Sequence, residues 1–213
     1  MLDSYKHKGM RKQLVDELRA KGIKSEAVLE AINSVPRHFF LDKVFTEQAY
    51  SNMAFQIGAG QTISHPYTVA FQTELLEIKK GDKVLEIGTG SGFQTAILCQ
   101  LGAKVFSIER QKELFMKCKP MLDQLKFTPK LKFGDGYLGW PVFAPFDKII
   151  ITCGAPFVPD ALVDQLAIGG RMIIPIGEGK NQEMHLLEKE SSGIKSSKLG
   201  VFSFVPMLKN TVK

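Results

Sequence analysis

The chain has 213 residues, 44% of them hydrophobic and 23% charged, with 28 basic against 22 acidic side chains and a formal net charge of +6. That length suits one domain able to bury a full core without disulfide staples. No run reaches the roughly 18 apolar residues of a membrane helix, and the opening MLDSYKHKGMRKQ has no apolar stretch of the signal-peptide kind, so a cytoplasmic protein without membrane contact is expected.

In chain order, MRKQLVDELRAKG places Met10, Leu14 and Leu18 on one helical face and stops at Gly22. SEAVLEAINSVP predicts a helix with Ser25 as N-cap and Pro36 as its end. Residues 36–65 show no period and read as irregular and aromatic-rich. Pro66 then opens a helix, PYTVAFQTELLEI, that ends at Lys80-Gly81. From residue 82 short apolar runs alternate with helical stretches: DKVLEI, FQTAILCQLG, AKVFSIE, RQKELFMKCKPMLDQL, LKFGDG, FDKIIITCG, VPDALVDQLAIGG, RMIIPIG. That alternation predicts an α/β fold, a doubly wound and mostly parallel sheet with N-terminal helices. The tail adds two strands around a Ser/Gly turn, expected to be antiparallel. One domain over 1–213 is expected, with a helical and loop region at 1–80 and an α/β core at 81–213.

The lysines are spread along the chain, so solvated faces are favoured over a nucleic-acid surface. Cys99, Cys118 and Cys153 lack paired metal-site spacing and read as reduced thiols. Cys99 and Cys153 read as packing residues, and no metal is expected.

EIGTGSG carries the strongest local signal. Gly88, Gly90 and Gly92 stand between a strand and a helix, where glycines let backbone approach a ligand and a helix start offers N–H groups to an anion. The spacing is G-x-G-x-G, not the dinucleotide G-x-G-x-x-G. Glu109 ends the next strand, 17 residues after Gly92, where a carboxylate can accept from both ribose hydroxyls. Asp135, in GDG, follows the third strand and could accept from an adenine amino group. A nucleoside bearing a charged group is the expected ligand.

These stretches resemble the motifs of class I S-adenosylmethionine-dependent methyltransferases. VPRHFF, QTISHPY, VLEIGTGSGFQTAIL, GDG, PFDKIIIT, VPDALVDQL, GGRMIIPIG and FVPM, in this order, resemble the protein-L-isoaspartate O-methyltransferase family over nearly the whole chain. The resemblance implies S-adenosyl-L-methionine as cofactor and L-isoaspartyl residues of damaged proteins and peptides as substrates. It implies methylation of their free carboxylate. A monomer is expected. Alternatives on the same fold are a methyltransferase for small molecules or other substrates, and a cofactor-binding homologue without turnover.

By the same resemblance Ser64 is the active-site serine, although its place before Pro66 would otherwise read as a helix cap. Thr62 adds a hydrogen bond to the substrate or fixes the loop. His65 belongs to this substrate loop, facing solvent or packing and without a catalytic role. Ile57, Gly58, Ala59 and Gly60 run along the cofactor. Glu86 anchors the glycine loop and the ammonium of the methionine moiety. Gly88, Thr89, Gly90, Gly92, Glu109, Asp135 and Gly136 complete the cofactor set. TCGAP stands where relatives carry an alanine-rich run, and Leu208 where some place a small or polar residue.

Overall fold

The computed structural model describes residues 2–212. Helix α1 (Tyr5–Ala20) starts at Tyr5 rather than Met10 because Ser4 caps it, its hydroxyl accepting from the His7 N–H. Leu14 and Leu18 turn inward as their spacing predicts. In α2 (Glu26–Ser34) the Ser25 hydroxyl accepts from Val28 N–H, and the helix stops short of Pro36.

Residues 36–65 depart from the expected irregular stretch. They hold two short helical turns, Arg37–Phe40 and Lys43–Gln48, and an antiparallel hairpin of β1 (Phe55–Gly58) with β2 (Gln61–Ile63). Strands this short are below the length at which a period of two can be read. Helix α3 (Pro66–Leu76) follows and ends at Glu77, whose φ of 49° breaks it before Lys80-Gly81.

The remaining elements are β3 (Lys83–Ile87), α4 (Phe93–Gln100), β4 (Lys104–Glu109), α5 (Lys112–Gln124), β5 (Lys130–Phe133), β6 (Phe146–Ile151), α6 (Asp160–Gln165), β7 (Leu166–Ile176), β8 (Gln182–Glu190) and β9 (Gly193–Phe202). Helix α6 is short because β7 takes up Leu166 to Gly170, with a bulge where it pairs β6.

The seven strands lie in the order β5-β4-β3-β6-β7-β8-β9. β5 through β7 are parallel, while β8 runs antiparallel to both β7 and β9. Alternate residues of the inner strands feed two cores. Leu85, Ile87, Ile149 and Ile151 pack on one face with Leu162 of α6. Val84, Ile150 and Ile173 pack on the other with Leu76 of α3 and Leu98 of α4. Cover on both faces explains why these strands read as continuous apolar runs. A third cluster joins α1 and α2 to Phe93, Ala96 and Ile97 of α4, so the N-terminal helices share a core with the sheet domain. No helix among the described residues is long and apolar enough to cross a membrane.

Candidate active site

The chain leaves β3 for β4 and β5, then returns to β6 on the other side of β3. Such a reversal opens a crevice at the carboxyl ends of the two strands. The loop after β3 lies over it, with φ of 97° at Gly88, 54° at Gly90 and 88° at Gly92. Gly88 meets a close neighbour: a Cβ there would sit 2.5 Å from Thr152 Oγ1. The Thr152 hydroxyl lies 2.7 Å from Gly88 O and 2.9 Å from Ile87 O, holding the loop to the end of β6.

Beside this loop lies a main cleft of about 580 Å³ including its open mouth. Ile87, Ile108 and Met207 give it apolar walls, with Glu109 at the end of β4. Glu109 Oε2 accepts from Gly90 N–H and Oε1 from Gln111 N–H, both at 2.8 Å. A carboxylate has about four acceptor directions, more than these two bonds fill. Burial pushes this carboxyl's pKa up, and the backbone donors at Gln111 and Gly90 pull it down. Gly136 forms part of the wall, where a Cβ would sit 2.4 Å from Ile87 Cγ2.

Two smaller clefts adjoin the first, sharing Thr62 and Thr152 with it and with each other. The inner one is lined by Thr89, Gly90 and Gln94, the outer one by His65, Thr68 and Phe204. Ser64 lines both. It is not the cap of α3: His65 occupies that position, without a side-chain cap bond. The Ser64 hydroxyl makes no hydrogen bond among the described residues. At the start of α3, Pro66 has no N–H and Tyr67 N–H is taken by Asn52 Oδ1 at 2.9 Å. Fewer free amides therefore face a ligand here than a bare helix start would supply. His65 is exposed, and partial burial together with the Arg37 charge holds its imidazole below the ordinary value.

Several expected cofactor residues do not line these three clefts. Gly58, Ala59 and Gly60 form the hairpin turn with φ of 100°, 50° and 67°, and line none of the three clefts. Ile57 lines a neighbouring apolar cleft and approaches Gly90. Gly92 packs α4 on α5: a Cβ would lie 3.4 Å from Cys118 and Leu122. Asp135 stands beside the main cleft, with Oδ1 accepting from Tyr137 N–H at 2.8 Å and Oδ2 from Asn210 N–H at 2.7 Å. Glu86 is wholly buried below the loop. Its Oε2 accepts from Thr95 Oγ1 at 2.5 Å, and Oε1 has no partner among the described residues. Burial pushes its carboxyl up to about 7. Thr152, Gln61 and Val205 are cleft residues that local patterns do not reveal, since each arrives from another element. The place of Thr152 at the carboxyl end of β6 is the signal that could have found it.

An apolar slot closed by a ribose-type carboxylate, at the switch point of a seven-stranded sheet, defines a class I S-adenosylmethionine-dependent methyltransferase. The sequence profile of the protein-L-isoaspartate(D-aspartate) O-methyltransferase family matches residues 9–212. The chain belongs to that family. It is 56% identical over 211 residues to the protein-L-isoaspartate O-methyltransferase of Flavobacterium psychrophilum, covering 99% of both chains. Identity to the Christiangramia forsetii enzyme is 55%, again over 99% of both. Among solved structures, a protein-L-isoaspartate O-methyltransferase superposes with a TM-score of 0.86 at 28% identity, over 94% of this chain and 66% of that one. A Plasmodium falciparum protein-L-isoaspartate O-methyltransferase in complex with S-adenosyl-L-homocysteine superposes at 0.82 and 26% identity, over 94% of this chain and 99% of that one.

Proposed function

We propose that the chain methylates the free carboxylate of L-isoaspartyl residues in damaged proteins and peptides, with Ser64 and Thr62 aligning that carboxylate and the main cleft holding S-adenosyl-L-methionine. The single observation that carries the site assignment is the unbonded Ser64 hydroxyl between the inner and outer clefts. S-adenosyl-L-methionine supplies an electrophilic methyl on a sulfonium. Glu109 accepts from the ribose hydroxyls through its open acceptor directions. Ile87, Ile108 and Met207 cover the purine. Gly88 and Gly90 let the loop backbone approach the methionine portion.

A carboxylate with an ordinary pKa near 4 is ionised at neutral pH, so the chain needs no general base. Its residues have two tasks. The first is alignment, which can lower a barrier by several kcal/mol. Ser64 Oγ donates to one carboxylate oxygen. Thr62, at the join of the three clefts, sits where it can donate to the other, with Thr68 N–H as a further donor. The second task is to exclude water while opposite charges meet, which a half-enclosed cleft favours. His65 stays at the rim and moves no proton.

We further propose that 1–80 and 81–213 act as one methyltransferase domain, supported by the shared core of α1, α2 and α4. A cytoplasmic location is supported by three free cysteines, and a monomer is the expected state. Gel filtration checks the monomer. The activity is tested with labelled S-adenosylmethionine and two peptides differing only in aspartate against isoaspartate. Label is expected in the isoaspartyl peptide alone, and equal or absent labelling would refute the reading.

A further inference from the structure

Arg37 is 1% exposed, yet no carboxylate lies within ion-pair distance of it among the described residues. It stands in the first helical turn after Pro36, in VPRHFF. Its guanidinium is held by backbone alone. Nη1 donates to Ala49 O, and Nη2 donates to Met53 O at 2.8 Å and to Ser64 O at 3.1 Å. The faces of Phe55 and Phe93 flank it, with ring centroids 5.5 and 5.8 Å from Cζ. Nε has no partner.

A buried cation without an anion is costly, and carbonyl dipoles and aromatic faces offset only part of that. A purely structural clamp for three carbonyls does not need a formal charge. The charge is also felt toward the cleft, since it depresses the neighbouring His65. Ser64 itself is bound by its carbonyl to Nη2 while its hydroxyl faces the clefts. The anion missing from the pair is of the kind that the substrate brings.

We propose that Arg37 is a positioning residue for methyl transfer: its fork fixes Ser64 through the carbonyl, and its unpaired charge lies behind the seat of the isoaspartyl carboxylate and strengthens its binding. This rests on the assignment of Ser64 to the substrate. The two contributions separate by substitution. Arg37→Gln keeps amide donors for the carbonyls but removes the charge. Arg37→Lys keeps a charge but loses the fork. The charge attracts the carboxylate before reaction more than during it, because methyl transfer neutralises that carboxylate. Loss of charge therefore appears in KM, and loss of the fork in kcat.

The test measures peptide methylation, S-adenosylhomocysteine affinity by calorimetry and melting temperature for both variants, for Ser64→Ala, and for Ser64→Ala combined with Arg37→Lys. Arg37→Gln is expected to raise the peptide KM about tenfold with kcat within about threefold, and Arg37→Lys to lower kcat about tenfold with KM within about threefold. Affinity for S-adenosylhomocysteine should stay within about twofold in both, and the double variant should be no slower than the slower single one. If Ser64→Ala alone keeps full activity, the Ser64 assignment fails, and the KM of Arg37→Gln still decides whether the charge acts on the substrate. Identical changes in the two Arg37 variants, changes that track melting temperature, or a failure of both to fold would make Arg37 a structural clamp and overturn the proposal.

Discussion

Glu86→Gln replaces a wholly buried carboxyl in β3, and its effect should depend on pH in a definite way. In the unfolded chain the group titrates near 4.5, and in the folded protein burial lifts it to about 7. Below 4.5 both states hold the proton and the group is neutral toward folding. Between 4.5 and 7 the unfolded chain has lost a proton that the folded protein keeps, so stability falls as pH rises. Above 7 both are ionised and the full cost remains. At 1.36 kcal/mol for each pKa unit, that cost is on the order of 3 kcal/mol. Glutamine has no proton to lose, and its amide can donate to Thr95 Oγ1 in place of the bond now made to Oε2. Urea unfolding of the ligand-free protein at a series of pH values should show near-equal stabilities at about pH 4.5 and a gain for the variant approaching 3 kcal/mol by about pH 7.5. A difference that does not change with pH would refute the reasoning, because a packing defect or a lost hydrogen bond has no such dependence.

Ser64→Ala should leave the melting temperature almost unchanged, since the hydroxyl bonds nothing among the described residues and His65 holds the cap position. The peptide methylation rate should fall about 10–1000-fold, and a normal rate would remove Ser64 from the site. Glu109→Ala should weaken S-adenosylhomocysteine binding by about 1–3 kcal/mol in calorimetry, through lost charged hydrogen bonds to the ligand. Substitution of His65 by glutamine should preserve a flat rate profile above about pH 6.5, because an imidazole held below its ordinary value is already neutral there. Loss of methyl transfer in that variant would make His65 a participant.

The α/β core was legible because its strands are buried on both faces and its glycine loop interrupts them at a fixed place. Glu109 and Gly88 could be read from that rhythm alone, since the end of a parallel strand is where such a fold puts ligands. The hairpin at Phe55–Ile63 could not, because its strands of four and three residues carry no measurable alternation. The glycines at 58 and 60 were read as running along the cofactor, and the structure puts both at the hairpin turn with positive φ. Gly92 was read with the glycine loop, and its close packing against α5 is a contact set far along the chain. Thr152 and Arg37 act across 64 and 27 residues, on Gly88 and Ser64, and no local pattern carries such pairs.

Gly136 is fixed by its neighbour, since any side chain there would collide with Ile87 at 2.4 Å. The chain is therefore bound to an Asp-Gly pair in its own cleft wall. In such pairs the unhindered glycine nitrogen can attack the preceding side-chain carboxyl, closing a ring that reopens as isoaspartate, the lesion this family methylates. Asp135 is restrained against that attack: Tyr137 N–H and Asn210 N–H hold one oxygen each. The second of these holds comes from the C-terminal segment, 75 residues away. Ageing of the enzyme should then begin where that segment lifts, so peptide mapping after prolonged warm storage should find isoaspartate at 135 sooner in a chain truncated before Asn210 than in the intact one.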